Sequence, residues 1–378
     1  MNYSMSIEIS NDNDWAFWTS ASILFFSIFF AVAGSHSGSE KPETIPDGYI
    51  AHNVEEQAII DEYEERQKLP HIQWLIKNVR VTMSVYVISV HVLALTAIPM
   101  LLECKWQTMV ALLVLYVLSC LGITGGVHRM WAHKSYKASG PYRFLMMIFN
   151  SMANQGSIYH WARDHRVHHK YSETKSDPHN ALRGFFFSHM GWLFLKKDPR
   201  VRMAGDRLSL ADIENLPEVV IQRNNDPWWN LFWCFGFPTL LSLVWGENAK
   251  IGFFVLGALR YVLGLHATWA VNSFAHMYGE TPYDFHANPA ENPCVALFTL
   301  GEGWHSWHHA FPNDYAASEF GVSAQFNPTK LWIDTGAKLG LVWDRKRAHN
   351  QWQKRIERNG YTEVETKGMP MFEVTTVK

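Results

Sequence analysis

The run MSVYVISVHVLALTAIPMLL, residues 83–102, contains no charged residue. An α-helix of about 20 apolar residues crosses the hydrocarbon core of a bilayer, so this run predicts a membrane span. A second run, QTMVALLVLYVLSCLGITGGV at 107–127, follows after only residues 103–106. A link this short returns the chain at once, so the two runs predict a tight hairpin of membrane helices.

A second pair of apolar runs lies further along the chain. WWNLFWCFGFPTLLSLVW occupies 228–245 and GFFVLGALRYVLGLHATWAVNSFAH occupies 252–276, with only residues 246–251 between them. Tryptophans bound the first of these runs, as they often do where a helix leaves the bilayer. A soluble protein with buried helices is the alternative, but buried soluble helices are rarely so long and uncharged. We therefore predict an all-α integral membrane protein with four transmembrane helices in two hairpins.

The short links place three long segments on one side of the membrane. These are 35–82, 128–227 and 277–378, and the middle one holds fifteen Lys and Arg residues. Basic residues accumulate on the cytosolic side, so this face is predicted to be cytosolic. The chain is predicted to have four parts. Residues 1–34 form an N-terminal tail and residues 35–82 a cytosolic segment. Residues 83–350 form the membrane core, with a helical cap at 128–227 and 277–350, and residues 351–378 form a C-terminal tail.

The N-terminal tail contains a further apolar stretch, WAFWTSASILFFSIFFAVAG at 15–34. Residues 1–14 are acidic and lack Lys and Arg, which argues against a signal peptide. The stretch is either a fifth span or a hydrophobic anchor, and the sequence leaves both open. It carries none of the candidate ligands described below, so deletion of 1–34 is expected to preserve activity.

Composition argues against several other functions. The formal net charge is −2, which is not the basic balance of a nucleic-acid-binding protein. The four cysteines lie far apart and form no CxxC pair, so no disulfide framework is predicted. The sequence has no CxxCH and no evident flavin or haem motif, so the chain is not predicted to carry electrons itself.

Nine of the nineteen histidines fall into four groups beside the predicted spans. Two groups have the pattern HxxHH, and positions i, i+3 and i+4 lie within about 100° of arc on a helix. Each triplet would therefore present three imidazoles on one face. The four groups are His128 and His133; His165, His168 and His169; His276; and His305, His308 and His309. The other ten are interpreted as structural: His36, His52, His71, His91, His160, His179, His189, His266, His286 and His349.

The first group needs a distorted helix. His128 and His133 are five residues apart, which is about 140° around an α-helix. They would converge only near a helix end or across a break, and Gly125 and Gly126 favour a break there.

These histidines point to metal chemistry. Imidazole suits Fe, Zn and Cu, and nine ligands exceed what one ion takes, so two ions are predicted. The boxes contain no carboxylate, so the ligand shell would be neutral and the charge of the ions largely uncompensated. Such a centre favours O2-derived anions and a strong oxidation. A divalent-metal transporter is an alternative, but transporters place ligands at the bilayer midplane, whereas these groups lie at or beyond span ends.

Five motifs closely resemble membrane acyl-CoA desaturases, the stearoyl-CoA or Δ9 type of animals. The resemblance covers about residues 70–350 and is carried by GITGGVHRMWAH, WARDHRVHHKYSETKSDPHN, GFFFSHMGWLFLKKDP, VNSFAH and GEGWHSWHHAFPNDY. It implies four transmembrane helices under a cytosolic cap that holds two Fe2+ ions. It also implies that all nine grouped histidines are metal ligands and that Asn272 positions a metal-bound water.

The resemblance implies substrate contacts as well. Residues that match contacts to the CoA headgroup are Asn78, Arg163, Asp164, Lys196 and Lys197. Residues that match the lining of the acyl tunnel are Gln155, Trp161, Trp192, Thr268 and Trp269. Gly156 stands where the family has an asparagine that contacts the headgroup. The tunnel is expected to end against the second span, where Tyr116 is the bulkiest candidate for its floor.

The implied reaction is O2-dependent formation of a cis double bond, at Δ9, in a long-chain fatty acyl-CoA. No acid or base breaks an unactivated methylene C–H bond at pH 7, so a metal-generated oxidant is required. Cytochrome b5 and its reductase would supply electrons, membrane lipid would surround the spans, and the endoplasmic reticulum membrane would be the location. A sister di-iron hydroxylase of alkanes or sterols shares the histidine boxes and is the alternative.

Overall fold

The structure, a computed structural model, describes residues 45–283 and 288–359. The apolar stretch at 15–34 and most of the predicted C-terminal tail lie outside these residues. Within them the chain is mostly helical, and the one sheet pairs two short antiparallel strands, Lys137–Ala138 and Val342–Trp343. This confirms the predicted all-α class.

Three helices of the described residues are long and apolar enough to cross a membrane. They confirm the first, second and fourth predicted spans, with bounds Val81–Met100, Trp106–Ala132 and Ala249–Met277. Glu247, just before the last of these, accepts hydrogen bonds from the Lys105 N–H (2.9 Å) and the Thr108 hydroxyl (2.5 Å). The turns of the two hairpins therefore meet at the same end of the bundle.

The third predicted span is shorter than expected. The run 228–245 folds as consecutive helical pieces from Trp228 to Leu243, which at 1.5 Å per residue reach about 24 Å. That length falls short of a bilayer core of about 30 Å. The first turn of this run contains Asn230, which is fully buried and accepts a hydrogen bond from the Gln222 amide at 3.2 Å. The first turn of the run 228–245 thus packs with polar cap residues rather than with lipid.

The second long helix ends in a π-helix, Gly122–Ala132. In a π-helix each N–H bonds the carbonyl five residues earlier, so residues i and i+5 lie one above the other. The His133 N–H donates to the His128 carbonyl at 3.1 Å in this pattern. The predicted distortion is confirmed, and it brings His128 and His133 to one face.

Two glycines permit close packing around this region. A Cβ on Gly122 would lie 2.2 Å from backbone atoms of Phe149 and Asn150, which belong to the helix Gly140–Ala153. A Cβ on Gly303 would lie 2.1 Å from the Asn292 carbonyl oxygen. Only glycine fits either position without moving backbone.

Two cap helices carry the HxxHH triplets. The first is Ile158–Lys170, whose N-cap Ser157 side chain accepts from the His160 N–H. The second is the short helix His305–Ala310. The acidic helix Val54–Gln67 has Asn53 as its N-cap. The remaining helices of eight or more residues are His71–Asn78, Pro199–Asp206, Pro217–Asn225, Pro328–Lys338 and His349–Asn359.

Candidate metal centre

The structure brings the nine grouped histidines together as two clusters. In each cluster every residue offers one ring nitrogen within 4.8 Å of those of the others. The five-histidine cluster is His128, His133, His165, His169 and His308; the four-histidine cluster is His168, His276, His305 and His309.

Each HxxHH triplet is divided between the two clusters. On the helix Ile158–Lys170, His165 and His169 join the five-histidine cluster, whereas His168 joins the other. On the helix His305–Ala310, His308 joins the five-histidine cluster, whereas His305 and His309 join the four-histidine cluster. Both cap helices therefore contribute to both clusters, and neither triplet forms a site by itself.

The ring nitrogens within each cluster face one another closely. Nε2 of His308 lies 2.9 Å from Nε2 of His128 and 3.0 Å from Nε2 of His169. In the other cluster, Nε2 of His305 lies 3.0 Å from the Nε2 atoms of His276 and His309. One proton cannot satisfy three converging nitrogens, so this arrangement suits lone pairs directed at a cation.

Carboxylates stand behind several of these imidazoles. Nδ1 of His168 lies 2.9 Å from Asp177, and Nδ1 of His128 lies 2.9 Å from Glu302. Glu173 is 3.7 Å from Nδ1 of His276. A carboxylate beside Nδ1 favours the proton on that nitrogen and leaves Nε2 free to ligate a metal.

The expectation that the charge of the ions is largely uncompensated stays a prediction. The ligand candidates are neutral; Asp177 and Glu302 lie one hydrogen bond further out and Glu173 lies 3.7 Å from Nδ1 of His276, while Glu302 is also paired with Arg129. All three lie inside the motifs that carry the resemblance, yet their position in sequence gives no sign of which histidine each would meet. Spacing along the chain does not encode these long-range contacts.

Burial and mutual proximity keep the imidazoles neutral. Burial, and then the neighbouring imidazoles, hold the pKa of six of them well below the ordinary histidine value: His133, His165, His169, His305, His308 and His309. Burial alone would raise the pKa of Asp177, but His168 and His179 outweigh it and lower that pKa. The site thus combines neutral imidazoles with ionised supporting carboxylates, which is the donor set that a metal ion needs.

His179 lies beside the four-histidine cluster without belonging to it. Its ring centre is 4.4 Å from that of His168, and its Nδ1 lies 3.7 Å from Asp177, so it shares a carboxylate with His168. Its interpretation as a non-ligand stays a prediction.

The Asp177 contact leads to a test of metal affinity. We expect Asp177→Asn to weaken metal binding by about 10- to 100-fold, because the amide cannot hold the Nδ1 proton of His168 as a carboxylate does. Chelator competition on the purified protein measures this. The control is Asp206→Asn, since Asp206 is exposed on another helix. Equal affinities in the two variants would contradict the role of Asp177.

A cavity of about 320 Å³ borders both clusters, and its lining includes His128, His165, His168 and His305. Most of the remaining lining is apolar or aromatic, as in sites for lipid-like ligands. The cavity lining also includes seven of the substrate residues expected from the sequence, and the expected water-positioning residue Asn272. The seven are Gln155, Trp161, Asp164, Trp192, Lys197, Thr268 and Trp269.

Three of the expected headgroup contacts lie off this lining. Asn78 is buried, and its side-chain oxygen accepts from Arg66 and Gln67 at 3.1 Å each. Arg163 turns to Asp164, and Lys196 is exposed. The sequence analysis missed Arg80 and His160, which do line the cavity.

Gln155, Thr268 and Trp161 form a hydrogen-bonded group in the cavity wall, here called the polar clip. The Gln155 amide donates to the Thr268 hydroxyl at 2.8 Å and accepts from the Trp161 indole at 3.3 Å. Because the three residues come from the loop before a cap helix, from that helix and from the last span, the clip fixes the wall between the cap and the membrane bundle.

Tyr116 does not line the cavity. Its hydroxyl donates to the Phe298 carbonyl at 2.7 Å, and the lining residues of the same helix are Cys120, Ile123, Thr124 and His128. Cys120 is the one farthest along the helix from His128, about 12 Å away at 1.5 Å per residue. Within the segment 111–122, Cys120 is therefore the better candidate for the floor.

We expect Cys120→Phe to shorten the acyl chain that the cavity accepts, because the larger side chain fills its far end. Product analysis with a series of saturated acyl-CoAs measures the preferred length. Cys294→Phe is the matched control, since Cys294 is exposed. An unchanged profile in Cys120→Phe would place the floor elsewhere.

Comparisons with known proteins agree with this site. A family model described as fatty acid desaturase matches residues 105–317. Delta(9)-fatty-acid desaturase fat-6 of Caenorhabditis elegans is 43% identical over 311 residues, which cover 81% of this chain and 88% of that protein. Stearoyl-CoA desaturase of Homo sapiens is 43% identical over 317 residues, covering 82% and 86%. Acyl-CoA desaturase 3 of Mus musculus is 42% identical over 331 residues, covering 86% and 90%.

Proposed function

The chain belongs to the fatty acid desaturase family, and from that premise we propose that it forms a cis double bond, at Δ9, in a long-chain fatty acyl-CoA. It is an acyl-CoA desaturase, and hence an oxidoreductase, and a multi-pass membrane protein. The specific bond, the metal, the oxidant and the electron donor are the parts that we propose.

One observation carries the proposal: an apolar cavity opens onto both histidine clusters. An alkyl chain in this cavity has its methylenes beside the ring nitrogens of His128 and His305. A saturated chain offers no acidic proton, so its reaction there has to be an oxidation supplied by bound metal.

We assign one Fe2+ to each cluster, with the nine histidines as ligands and Asn272 holding a metal-bound water. Bound iron would activate O2, which is the oxidant: the –CH2–CH2– unit would lose two hydrogen atoms, and O2 would take these with two electrons and two protons to form two waters. The chain contributes neutral imidazoles, ionised Asp177 and Glu302 behind them, and a cavity wall that is largely apolar and aromatic.

The polar part of the lining would receive the headgroup. Lys197 and Arg80 supply positive charge for the phosphates of CoA, and Asp164 binds Lys197 and Arg163. Asn78 acts indirectly, because its backbone carbonyl accepts the Lys196 N–H at 2.7 Å and so holds the segment that carries Lys197.

The wall of the cavity would set the geometry of the chain. Gln155, Thr268 and Trp161 form the polar clip, while Trp192 and Trp269 add flat aromatic surface. A rigid wall of this kind holds two adjacent methylenes in one orientation, which a single product isomer requires.

The partners follow from the electron requirement. Cytochrome b5, kept reduced by its reductase, would dock on the basic cap segment 128–227 and deliver electrons one at a time. We place the enzyme in the endoplasmic reticulum membrane, with the clusters on the cytosolic side.

The experiment is expression in a desaturase-deficient yeast, followed by mass spectrometry of double-bond positions in its lipids. Growth without added unsaturated fatty acid and a Δ9 cis product are the expected results. A hydroxylated product with no alkene would instead identify a hydroxylase, and an alkene at another position would contradict the Δ9 assignment.

A further inference from the structure

Three histidines outside the two clusters form a hydrogen-bonded chain, here called the histidine chain: His91, His266 and His189. Nε2 of His91 lies 3.1 Å from Nε2 of His266, and Nδ1 of His266 lies 3.0 Å from Nε2 of His189. The three come from the first long helix, the last long helix and the turn Phe187–Gly191. As isolated residues in the sequence they carry no pattern, and only the fold joins them.

The ends of the histidine chain define its proton positions. Nδ1 of His91 lies 2.7 Å from the Val87 carbonyl, which can only accept, so this nitrogen carries the proton and Nε2 is an acceptor. His266 must then donate from Nε2 and accept at Nδ1. His189 donates to it from Nε2, and its own Nδ1 lies 2.9 Å from Oγ of Ser273, whose single hydroxyl proton can be donated either to this nitrogen or to the Trp269 carbonyl at 3.0 Å.

The bonds from the Val87 carbonyl through His91 and His266 to His189 are all made by neutral imidazoles and run in a single direction. His266 is the central member, because it alone bonds to both of the others. A residue at 266 therefore has to offer one donor and one acceptor at the same time. A side chain without them leaves a nitrogen of His91 and one of His189 without partners inside the bundle, which costs free energy.

All three rings of the histidine chain contact the indole of Trp269. The indole stacks on His91 at 6.0 Å between ring centres and 12° between planes. His266 and His189 meet it edge-on at 5.2 Å and 5.9 Å. Trp269 is 3% exposed and also lines the cavity that opens onto the clusters.

We propose that the histidine chain is a positioning element that holds the Trp269 indole against the acyl cavity and thereby sets which acyl chains are accepted. This inference rests on the proposed desaturase function and extends it to residues that touch neither substrate nor metal. Because its three rings come from different elements, the histidine chain fixes these elements relative to one another next to the cavity wall. The adjoining Thr268 is held separately by Gln155.

The test compares two changes at one position. His266→Gln keeps a donor and an acceptor in its amide, whereas His266→Leu has neither. Both proteins are purified with the metal bound, and kcat/KM is measured for saturated acyl-CoAs that differ by two carbons. Leu263→Ala is the control, since Leu263 is on the same helix and 46% exposed.

We expect His266→Leu to change the ratio of kcat/KM between neighbouring chain lengths by at least about 10-fold, since discrimination of this size is what a pocket wall supplies. His266→Gln and Leu263→Ala should retain the original ratio, and all variants should retain the metal content. Should His266→Leu fail to accumulate, His91→Phe carries the same test, because it keeps a ring against Trp269 but removes both nitrogens.

The outcomes separate this inference from the proposed function. Activity with unchanged selectivity in His266→Leu, or in His91→Phe, would overturn the inference alone. A third metal ion in the unaltered protein that is lost in His266→Leu would also overturn it, since the nitrogens would then be ligands. Inactivity of the unaltered protein toward every acyl-CoA would overturn the proposed function and the inference with it.

Discussion

His168→Ala is expected to abolish desaturation. His168 supplies one of four ring nitrogens in its cluster, and Asp177 orients it. Its loss would leave three imidazoles and an ionised carboxylate without its partner. The same loss is expected for the other eight histidines, because each of them offers a ring nitrogen to one of the two clusters.

The measurement pairs product formation with metal content. Activity is assayed in microsomes, and bound metal is counted on purified protein, where the unaltered enzyme should hold one ion for each cluster. His179→Ala should keep the metal, and His52→Ala, at an exposed loop position, should keep both metal and activity. Full activity in His168→Ala would refute the ligand assignment.

Among the substitutions proposed here, Arg129→Met is expected to lower the free energy of unfolding the most. Arg129 is fully buried, donates to Glu302 at 2.7 and 3.0 Å, and donates to the Tyr315 and Ala316 carbonyls. Burial alone would raise the pKa of Glu302, but Arg129 and His128 outweigh it and lower that pKa. Without Arg129 the carboxylate is left charged and buried, which costs about 3–5 kcal/mol.

Unfolding in detergent, with and without chelator, measures this loss separately from metal binding. Arg202→Met is the control, because the side chain of Arg202 is 83% exposed and its pairing with Asp206 at 3.7 Å contributes less than about 1 kcal/mol. Adding Glu302→Gln to Arg129→Met should recover part of the stability, since it removes the unpaired charge. Unfolding of Arg129→Met at the same denaturant concentration as the unaltered protein would contradict this role.

Arg129 also explains how one buried pair connects the parts of the site. It lies in the π-helical end of the second long helix, next to His128. Glu302, Tyr315 and Ala316 lie on either side of the triplet His305, His308 and His309 in the sequence. The pair therefore holds that triplet against the membrane bundle, so damage to stability and damage to the metal site should appear together.

The apolar runs were predicted well because each depends on local composition. A span of sufficient length has to satisfy its backbone hydrogen bonds as a helix wherever it lies in the membrane. The run 228–245 was the exception: its helical pieces extend only from Trp228 to Leu243, and its first turn contains Asn230, which is buried against Gln222. Similarly, Asn78 matched a substrate contact by motif, but Arg66 and Gln67 occupy its side-chain oxygen.

For the histidines, the sequence by itself determined which residues lie on one helix face, because helical spacing is a local property, and their number predicted more than one ion. It also indicated the break between His128 and His133. Only the tertiary structure decided how two helices divide their triplets between two clusters, which carboxylate supports which ring, and that His91, His266 and His189 meet behind Trp269. Those contacts join residues far apart in the chain, and they depend on packing between elements rather than on periodicity within one.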